Sequence, residues 1–379
     1  MTGVKIPSIS RFWALPALLN IAVLCLLTGS AEASVFGIDQ RVPLPETLRQ
    51  TGTKLGVFFD SRSQSICTAF CVGADVIATA AHCLYRTNGE QPLRLSELSF
   101  KLNGTTQRVK IAGAEAGVPE ANVTSGSSHL NVRPPIDATR DWALVRLSQP
   151  ACKSGGLKIS ALPVTQVMKL ADKGHVFNIA YHRDLPKWQP MLGTGCGVKR
   201  NYVDADWSTI KRDFFDPEQL LLHTCDTGAA SSGSPLLIDG PDGPEVVGIN
   251  VGTYVQSKVI MLNGEVLHRF KSDDVANTGV NAQAFAPRLA AFLAADTMAS
   301  RQQIRQLQEA LAINALYSGP RDGHYNQALK LAIERYQRAA RMPINGFATF
   351  ALLRSLTGES QLVTGKISGA RTTSASGRR

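Results

Sequence analysis

The stretch CDTGAASSGSPLL, residues 225–237, places three serines within four positions, between a cysteine and an apolar run. Such a stretch is either the site of a nucleophilic serine or a turn of small residues before a buried strand. A serine hydroxyl is a weak nucleophile until a neighbouring base accepts its proton. Residues elsewhere in the chain must therefore decide between the two interpretations.

Residues 34 to about 295 consist mainly of short β-prone runs separated by Gly, Pro, Asn, Asp and Ser clusters. This spacing is typical of an all-β barrel or sandwich. The runs are KLGVFF (54–59), DVIATA (75–80), LSFKL (98–102), RVKIAG (108–113), DWALVRL (141–147), PLLI (235–238), EVVGINVGT (245–253) and SKVIML (257–262). The segment AQAFAPRLAAFLAA (282–295) has apolar residues at helical spacing, which predicts a helix that closes the β region.

Two polar residues stand at the ends of predicted strands. His82 follows the strand predicted over 76–79, and the small residues before it allow its ring to lie close to neighbouring backbone. Asp141 begins DWALVRL, whose alternation predicts a half-buried strand. Taken alone, the histidine is a structural residue at a strand end and the aspartate a turn or cap residue.

Taken together, three motifs resemble the trypsin/chymotrypsin-like serine proteases. They are TAAHC with a cysteine sixteen residues before its own, DWALVRL, and SSGSP, in the chain order His, Asp, Ser. SGSP and the entry segment FGIDQRVPL (36–44) are similar to the bacterial glutamyl-endopeptidase-type branch. The resemblance implies a mainly β protease domain over 34–297, built as a double six-stranded β-barrel with its active site between the barrels. It also implies a serine endopeptidase that works through an acyl-enzyme and needs no cofactor and no metal.

The resemblance assigns roles to four residues. Ser232 matches the nucleophile, His82 its general base, and Asp141 the residue that orients the histidine. The backbone N–H groups of Ala230 and Ser232 are expected to form the oxyanion hole. Because the family has glycine at the position of Ala230, a catalytically impaired scaffold with a protease fold is the alternative.

Substrate preference depends on two further positions. Asp226 lies six residues before Ser232, where trypsin-like members carry the acid that selects Lys or Arg, although glutamyl-type relatives often have Asp-Thr here too. Asn250 stands in VVGINVG (246–252) at the place of a histidine that helps the glutamyl-type branch to bind glutamate. We expect both residues to contact a protein or peptide substrate, with a structural role as the alternative for Asp226. The preferred side chain is left open between basic and acidic.

The first 33 residues predict a cleaved signal peptide. Lys5 and Arg11 give a positive start, an apolar stretch covers Trp13–Leu27, and Ala31 and Ala33 fit an A-x-A cleavage site. The alternative is an uncleaved membrane anchor, for which the apolar stretch is short. We expect a secreted or periplasmic bacterial protein, without a transmembrane segment once the signal is removed.

Six of the seven cysteines lie after this segment, and an even number in an exported chain indicates disulfides. The resemblance implies the pairs Cys67–Cys83 and Cys196–Cys225, with Cys71–Cys152 as the pair that remains. None of the cysteines shows the CxxC spacing of a zinc site, so no metal site is predicted.

The net charge of +10 favours anionic partners such as wall polymers or membrane surfaces, and the alternative is that the charge serves only solubility. Basic runs interleaved with aromatic residues are missing from the sequence, so we expect no nucleic-acid partner. We also expect a monomer.

Residues 301–358 keep a helical periodicity, interrupted at SGPRDG (318–323) and RMPING (341–346), which predicts a small three-helix domain. In LQ (307–308), SGPRDG, YQ (336–337) and PINGFAT (343–349), this segment resembles the peptidoglycan-binding domain of bacterial wall hydrolases. The resemblance implies peptidoglycan as a partner, and the alternative is a purely structural appendage. A peptidoglycan hydrolase is a weaker hypothesis, because paired catalytic carboxylates and zinc ligands do not stand out. Residues 359–379 are rich in Ser, Gly, Thr and Arg, which predicts a disordered basic tail.

Overall fold

The computed structural model of the protein describes residues 34–85, 93–203, 205–262 and 265–358. The predicted signal peptide (1–33) and tail (359–379) lie outside the described residues. Across the ranges that are described, none of the helices has the length and apolar character needed to cross a membrane.

The described residues form fifteen strands and seven α-helices. The strands are β1 (Arg41–Pro43), β2 (Leu55–Asp60), β3 (Ile66–Cys71), β4 (Val76–Thr79), β5 (Leu98–Leu102), β6 (Val109–Lys110), β7 (Val123–Ser125), β8 (Ala143–Arg146), β9 (Lys158–Ile159), β10 (Val176–Ala180), β11 (Met191–Gly193), β12 (Leu220–His223), β13 (Pro235–Gly240), β14 (Gly243–Leu262) and β15 (Glu265–Asn281). The helices are α1 (Arg49–Gly52), α2 (Val164–Ala171), α3 (Trp207–Ile210), α4 (Ala286–Leu293), α5 (Arg301–Ile313), α6 (Gln327–Ala339) and α7 (Phe350–Thr357).

The strands make two curled antiparallel sheets. The first has seven strands in the order β6-β5-β2-β3-β4-β8-β7. The second has eight, in the order β1-β11-β10-β13-β14-β15-β12, with the short β9 paired in parallel to β14. The predicted mainly β class with two barrel-like sheets is confirmed. The strand counts exceed six because two- and three-residue strands, such as β6 and β7, extend the sheets.

Strand β8 is buried on both faces, so the prediction of a half-buried strand is wrong. Residues 142–145 are all buried, including Trp142 on one face and Val145 on the other. The outer face is covered by α4 and the turn that follows it. Arg146, the polar residue in the alternation, hydrogen bonds through its guanidinium to Asp75 at 2.8 Å and to the carbonyl of Ala295 at 3.1 Å. The half-buried side chain of Arg146 thus connects β8 to the residues around the end of α4.

A single cluster of buried side chains spans both sheets and α4, which makes them one structural body. Its largest members are aromatic, and each contributes roughly 1.5–3 kcal/mol by burial. They are Phe58, Phe70, Phe100, Phe285 and Phe292.

The C-terminal residues form the predicted three-helix unit, α5 to α7. Each helix begins at a side-chain cap, the signal that ends the preceding loop. Ser300 makes a capping box with Gln303, and Asn326 and Thr349 cap the next two helices. The apolar faces of the helices meet in a second buried cluster.

This second cluster also includes residues of the β domain, so the helical unit is packed firmly on the first sheet. Val118 and Ala121 belong to the same cluster as the C-terminal helices. The buried side chain of Asn122 donates to the carbonyl of Met298 at 2.9 Å and accepts from the hydroxyl of Thr297 at 2.7 Å. The two units are therefore joined by a packed interface as well as by the chain.

Candidate active site

Antiparallel pairing of β4 with β8 brings His82 beside Asp141. Thr79, the last residue of β4, pairs with Ala143, the first residue of β8, so the residues just beyond each strand end are neighbours. The Nδ1 atom of His82 lies 2.7 Å from Oδ2 of Asp141, and the backbone N–H of His82 donates to Oδ1 at 2.9 Å. A carboxylate can only accept, so Nδ1 carries a proton and donates it to Asp141.

The loop between β12 and β13 holds Ser232 against both sheets. The backbone N–H of Thr68 in β3 donates to the carbonyl of Ser232 at 2.9 Å, and Gly233 N–H donates to the carbonyl of Asn250 in β14 at 2.8 Å. Gly233 has φ +84, and a Cβ at this position would lie 2.1 Å from Oγ1 of Thr79. Only glycine fits there, which fixes the backbone immediately after Ser232.

The three serines of this loop differ in accessibility. Ser231 and Ser234 are 4% and 0% exposed. The Oγ atom of Ser234 accepts from Asn178 at 2.9 Å, and that of Ser231 accepts from Asn250 at 3.3 Å. Ser232 is half-buried and lines an open cavity. It is the most accessible serine of the three.

Ala230 adopts a left-handed backbone conformation, with φ +83. For a residue other than glycine this conformation costs about 1–2 kcal/mol. Hydrogen bonds to the neighbouring carbonyls hold it in place. The backbone N–H of Arg183 donates to the carbonyl of Ala229 at 2.7 Å, and the hydroxyl of Thr68 donates to the carbonyl of Ala230 at 2.8 Å.

These carbonyl contacts also set the directions of two backbone N–H groups, because C=O and N–H point in opposite directions across a trans peptide. The bond to the Ala229 carbonyl turns the N–H of Ala230 away from Arg183. The carbonyl of Ser231 accepts from the N–H of Ser234 at 3.0 Å, so the N–H of Ser232 points away from Ser234. Within the described part of the chain, no protein group accepts a hydrogen bond from either N–H. Both groups are available to an external acceptor.

Asp226 has the structural role that the sequence left open for it, and its contact with substrate stays a prediction. Its side chain is buried, and its two carboxylate oxygens accept from the backbone N–H groups of Phe36 and Gln40, each at 2.8 Å. Because both oxygens are occupied by the entry segment, Asp226 ties that segment to the loop that leads to Ser232.

Asn250 supports the same loop from within the protein. Its Nδ2 donates to the carbonyl of Ser231 at 3.2 Å, and its Oδ1 lies 3.2 Å from Nε2 of His223. Burial lowers the pKa of His223 to about 4, so this ring is neutral and donates from Nε2. Asn250 lines the cavity beside Ser232, but both polar atoms of its side chain are used internally. Asn250 thus positions the Ser232 loop, and its contact with substrate stays a prediction.

The structure contains the three expected disulfides. They are Cys67–Cys83, Cys71–Cys152 and Cys196–Cys225. The first joins β3 to the turn that carries His82, and the third joins the segment between β11 and β12 to the loop that carries Ser232. Ligand atoms of Cys67, His82 and Cys83 lie within 4.8 Å of one another, as metal ligands would, but the disulfide uses both sulfurs. This cluster is not a metal site.

Two cavities meet at Gly252 and Thr253, which line both. The first, of about 220 Å³, contains His82 and Asp141. Its remaining walls are mostly apolar and include Leu130, Val132, Ile136, Phe214, Val251 and Tyr254. The second, of about 310 Å³, contains Ala230 and Ser232 among hydroxyl and amide groups. A cleft thus runs past a His–Asp pair on one side and an accessible serine on the other.

Two curled antiparallel sheets, with a His–Asp pair from one and a serine loop from the other, define the trypsin-like class of peptidase fold. Residues 67–249 match the family model of the trypsin-like peptidase domain, and residues 300–356 match that of a peptidoglycan binding domain. The chain therefore contains a trypsin-like peptidase domain followed by a C-terminal peptidoglycan-binding domain. Together with the disulfides, these domains fit an extracellular or cell-wall location.

Among solved structures, a Glu endopeptidase in complex with MPD is similar to this chain, with a TM-score of 0.45 and 17% identity, covering 69% of this chain and 99% of its own. An inactivated protease paralogue of the scabies mite is similar with a TM-score of 0.42 and 12% identity, covering 67% of this chain and 96% of its own. None of the curated proteins matches the sequence.

Proposed function

We propose that this protein is an exported serine endopeptidase that its C-terminal domain holds at the bacterial cell wall. The observation that carries the proposal is the 2.7 Å contact between His82 and Asp141, at a cleft that Ser232 also lines. The pairing fixes the tautomer in which Nε2 of His82 can accept a proton, as general-base catalysis requires.

In the proposed reaction, Oγ of Ser232 attacks the carbonyl carbon of the scissile peptide while His82 takes the hydroxyl proton. The N–H groups of Ala230 and Ser232 stabilise the oxyanion of the tetrahedral intermediate. Collapse of the intermediate breaks the C–N bond, and His82 returns the proton to the leaving amine. Water then attacks the acyl carbon while His82 takes its proton, the bond to Oγ of Ser232 breaks, and His82 returns the proton to that oxygen.

The backbone at Ala230 supports this proposal over the scaffold alternative. The alternative requires a peptide that has flipped to avoid the left-handed conformation, so that the oxyanion hole is not formed. Ala230 instead adopts φ +83, and the neighbouring Ala229 carbonyl is held by Arg183. The left-handed conformation costs about 1–2 kcal/mol, and it leaves the N–H of Ala230 available to hydrogen bond with the oxyanion.

Covalent labelling tests the catalytic part of the proposal. A peptidyl phosphonate or a sulfonyl fluoride should modify folded wild-type protein at Ser232, as mapped by mass spectrometry. Ser232→Ala should remain unlabelled, while Ser231→Ala, its buried neighbour, should still be labelled. Folded wild-type protein that reacts no faster than Ser232→Ala would refute the endopeptidase.

Sedimentation with purified sacculi tests the location. We expect Ser232→Ala, used to avoid proteolysis during the assay, to pellet with the sacculi. The peptidase domain alone is not a suitable control, because its packed interface with the helices would be exposed. Failure of the full chain to pellet would remove the wall-binding part and leave the labelling result unaffected.

A further inference from the structure

We propose that Arg41 is a positioning residue for the oxyanion hole. Through its ion pair with Asp184, it holds the peptide between Ala229 and Ala230 in the orientation that leaves the N–H of Ala230 available. This inference rests on the proposed function. It gives the entry segment (36–44), which contains none of the residues assigned to the reaction above, a part in stabilising the transition state.

The guanidinium of Arg41 is held by two carboxylates. Its Nε and Nη2 atoms donate to Asp39 at 2.9 Å and 2.8 Å, and its Nη1 and Nη2 atoms donate to Asp184 at 3.1 Å and 2.7 Å. The side chain of Arg41 is only 3% exposed, so water and salt screen these contacts little. Two-pronged contacts of this kind fix the orientation of a guanidinium as well as its position. Arg41 is therefore a rigid link between the entry segment and the residues that follow β10.

The backbone around Arg41 is anchored independently of its side chain. Arg41 itself pairs with Gly193 where β1 runs along β11. The N–H of the preceding residue, Gln40, donates to the buried carboxylate of Asp226 at 2.8 Å. Because its backbone is fixed by these contacts, the side chain of Arg41 can hold Asp184 in place.

The ion pair lies directly against the oxyanion loop, residues 228–232. A Cβ at Gly228 would overlap Oδ1 of Asp184 and would lie 2.8 Å from Nη1 of Arg41, so the ion pair is packed on the backbone of Gly228. Asp184 also follows Arg183, whose backbone N–H donates to the carbonyl of Ala229 at 2.7 Å. The ion pair thus contacts the loop one residue before Ala229 and anchors the donor that holds the Ala229 carbonyl.

The conformation of Ala230 makes this support necessary. Its φ of +83 is unfavourable for alanine, and rotation of the preceding peptide would relieve the strain. Because C=O and N–H point in opposite directions across a peptide, the rotation would break the bond from Arg183 and turn the N–H of Ala230 toward that residue. Arg41 opposes the rotation, since Arg183 cannot follow the Ala229 carbonyl while Asp184 is held.

Steady-state kinetics of Arg41→Gln test the inference, with a fluorogenic peptide that wild-type protein cleaves as the substrate. We expect kcat to fall about 10- to 100-fold with KM within about threefold of wild type, because an oxyanion donor acts mainly in the transition state and complete loss of one costs about 10²–10³. Arg41→Lys should recover part of the loss, since lysine keeps the charge but not the planar fork. A folded Arg41→Gln with kcat within about threefold of wild type, or with a change in KM alone, would overturn the inference.

Arg200→Gln is the matched control. The side chain of Arg200 is also largely buried, at 14% exposure, and pairs with Glu218 at 3.1 Å, but Arg200 does not line either of the two cavities described above. Its replacement should leave kcat within about threefold of wild type, whatever it does to stability. An equal loss of kcat in Arg200→Gln would show that Arg41 acts only through general stability.

Asp184→Asn approaches the same ion pair from its other side and leaves Arg41 paired with Asp39, so it serves as the test if Arg41→Gln does not fold. It should lower kcat in the same range, again without a matching change in KM. Where both single variants fold, the double variant should lose no more than the larger single loss, because both changes remove the same contact. Losses that multiply would show that the two residues act separately and would overturn the inference.

An NMR measurement separates this inference from the proposed activity. In full-length protein labelled with nitrogen-15 alanine, the cross-peak of Ala230 is the one that Ala230→Gly removes. It should be single in wild type and in Arg200→Gln, and it should split or broaden in Arg41→Gln, whose peptide then populates both orientations. A single, unbroadened cross-peak in Arg41→Gln, with Ser232 labelled normally in wild type, would refute the role of Arg41 alone. A split cross-peak with an unreactive Ser232 would refute the peptidase alone.

Discussion

Replacing Ala230 with glycine measures the strain at the proposed oxyanion position. Alanine at φ +83 costs about 1–2 kcal/mol, which glycine would not incur. Glycine also loses about 0.4–1 kcal/mol more than alanine through the greater freedom of the unfolded chain. The balance predicts that Ala230→Gly raises the free energy of unfolding by about 1 kcal/mol, as measured from urea denaturation.

The adjacent Ala229 provides the control. It is not among the described residues with positive φ, so Ala229→Gly relieves no strain and should destabilise the protein by about 0.4–1 kcal/mol. The difference between the two variants therefore isolates the strain, at about 1–2 kcal/mol. Equal shifts in the two glycine variants would show that Ala230 is not strained.

The same variant tests whether the alanine impairs catalysis. Because the Ala229 carbonyl is already held by Arg183, we expect kcat/KM of Ala230→Gly to stay within about threefold of wild type. A misdirected oxyanion donor costs about 10²–10³ in kcat, so a glycine that corrected one would raise activity by that factor. A hundred-fold gain would refute our assignment of the N–H direction and favour an impaired scaffold.

Three further predictions concern other parts of the molecule. Asp141→Asn should lower kcat about 10⁴-fold, because an amide no longer selects the tautomer of His82 with a basic Nε2. A stopped assay at high protein concentration measures the remaining activity, and a variant close to wild type would contradict this prediction. The lowered pKa of His223, about 4, means that the unfolded chain binds more protons than the native one between about pH 4 and 6.5. Stability should thus fall as the pH drops through that window, and His223→Gln should flatten the fall in pH-dependent urea titrations; an unchanged slope would contradict this. Asn122→Ala should cost about 1–3 kcal/mol of unfolding free energy, since it leaves the carbonyl of Met298 buried without a donor, and a loss below about 0.5 kcal/mol would show that the interface contributes little.

The sequence predicted β4, β8 and β13, which lie next to His82, Asp141 and the Ser232 loop, because their pattern and turn residues are local. LSFKL coincides with β5, and DVIATA contains β4. It did not predict β10, whose residues VFNIA are buried on both faces and so lack the alternation of a half-exposed strand. EVVGINVGT and SKVIML were predicted as separate strands and are parts of the single long strand β14.

The candidate site shows the same division between local and distant information. His82 and Asp141 could be paired from the sequence only through a resemblance, and the structure brings them into contact through the register of β4 and β8. The role of Asp226 depends on a segment 186 to 190 positions earlier in the chain that folds back onto it, which no local pattern reveals. The backbone of Ala230 is likewise decided by Thr68, 162 positions away.

The packed contact between the helical unit and the first sheet limits how this protein can be recombined with others. Val118, Ala121 and Asn122 lie far from residue 300 in the chain, yet they complete the core of the C-terminal helices. A chimera cut between the two domains would separate these residues from the surface they match. Transplanting the helical unit onto another peptidase should therefore succeed only when the donor's segment around 118–122 travels with it. In this protein, the segment to be exchanged therefore has to include part of the β domain together with the C-terminal helices.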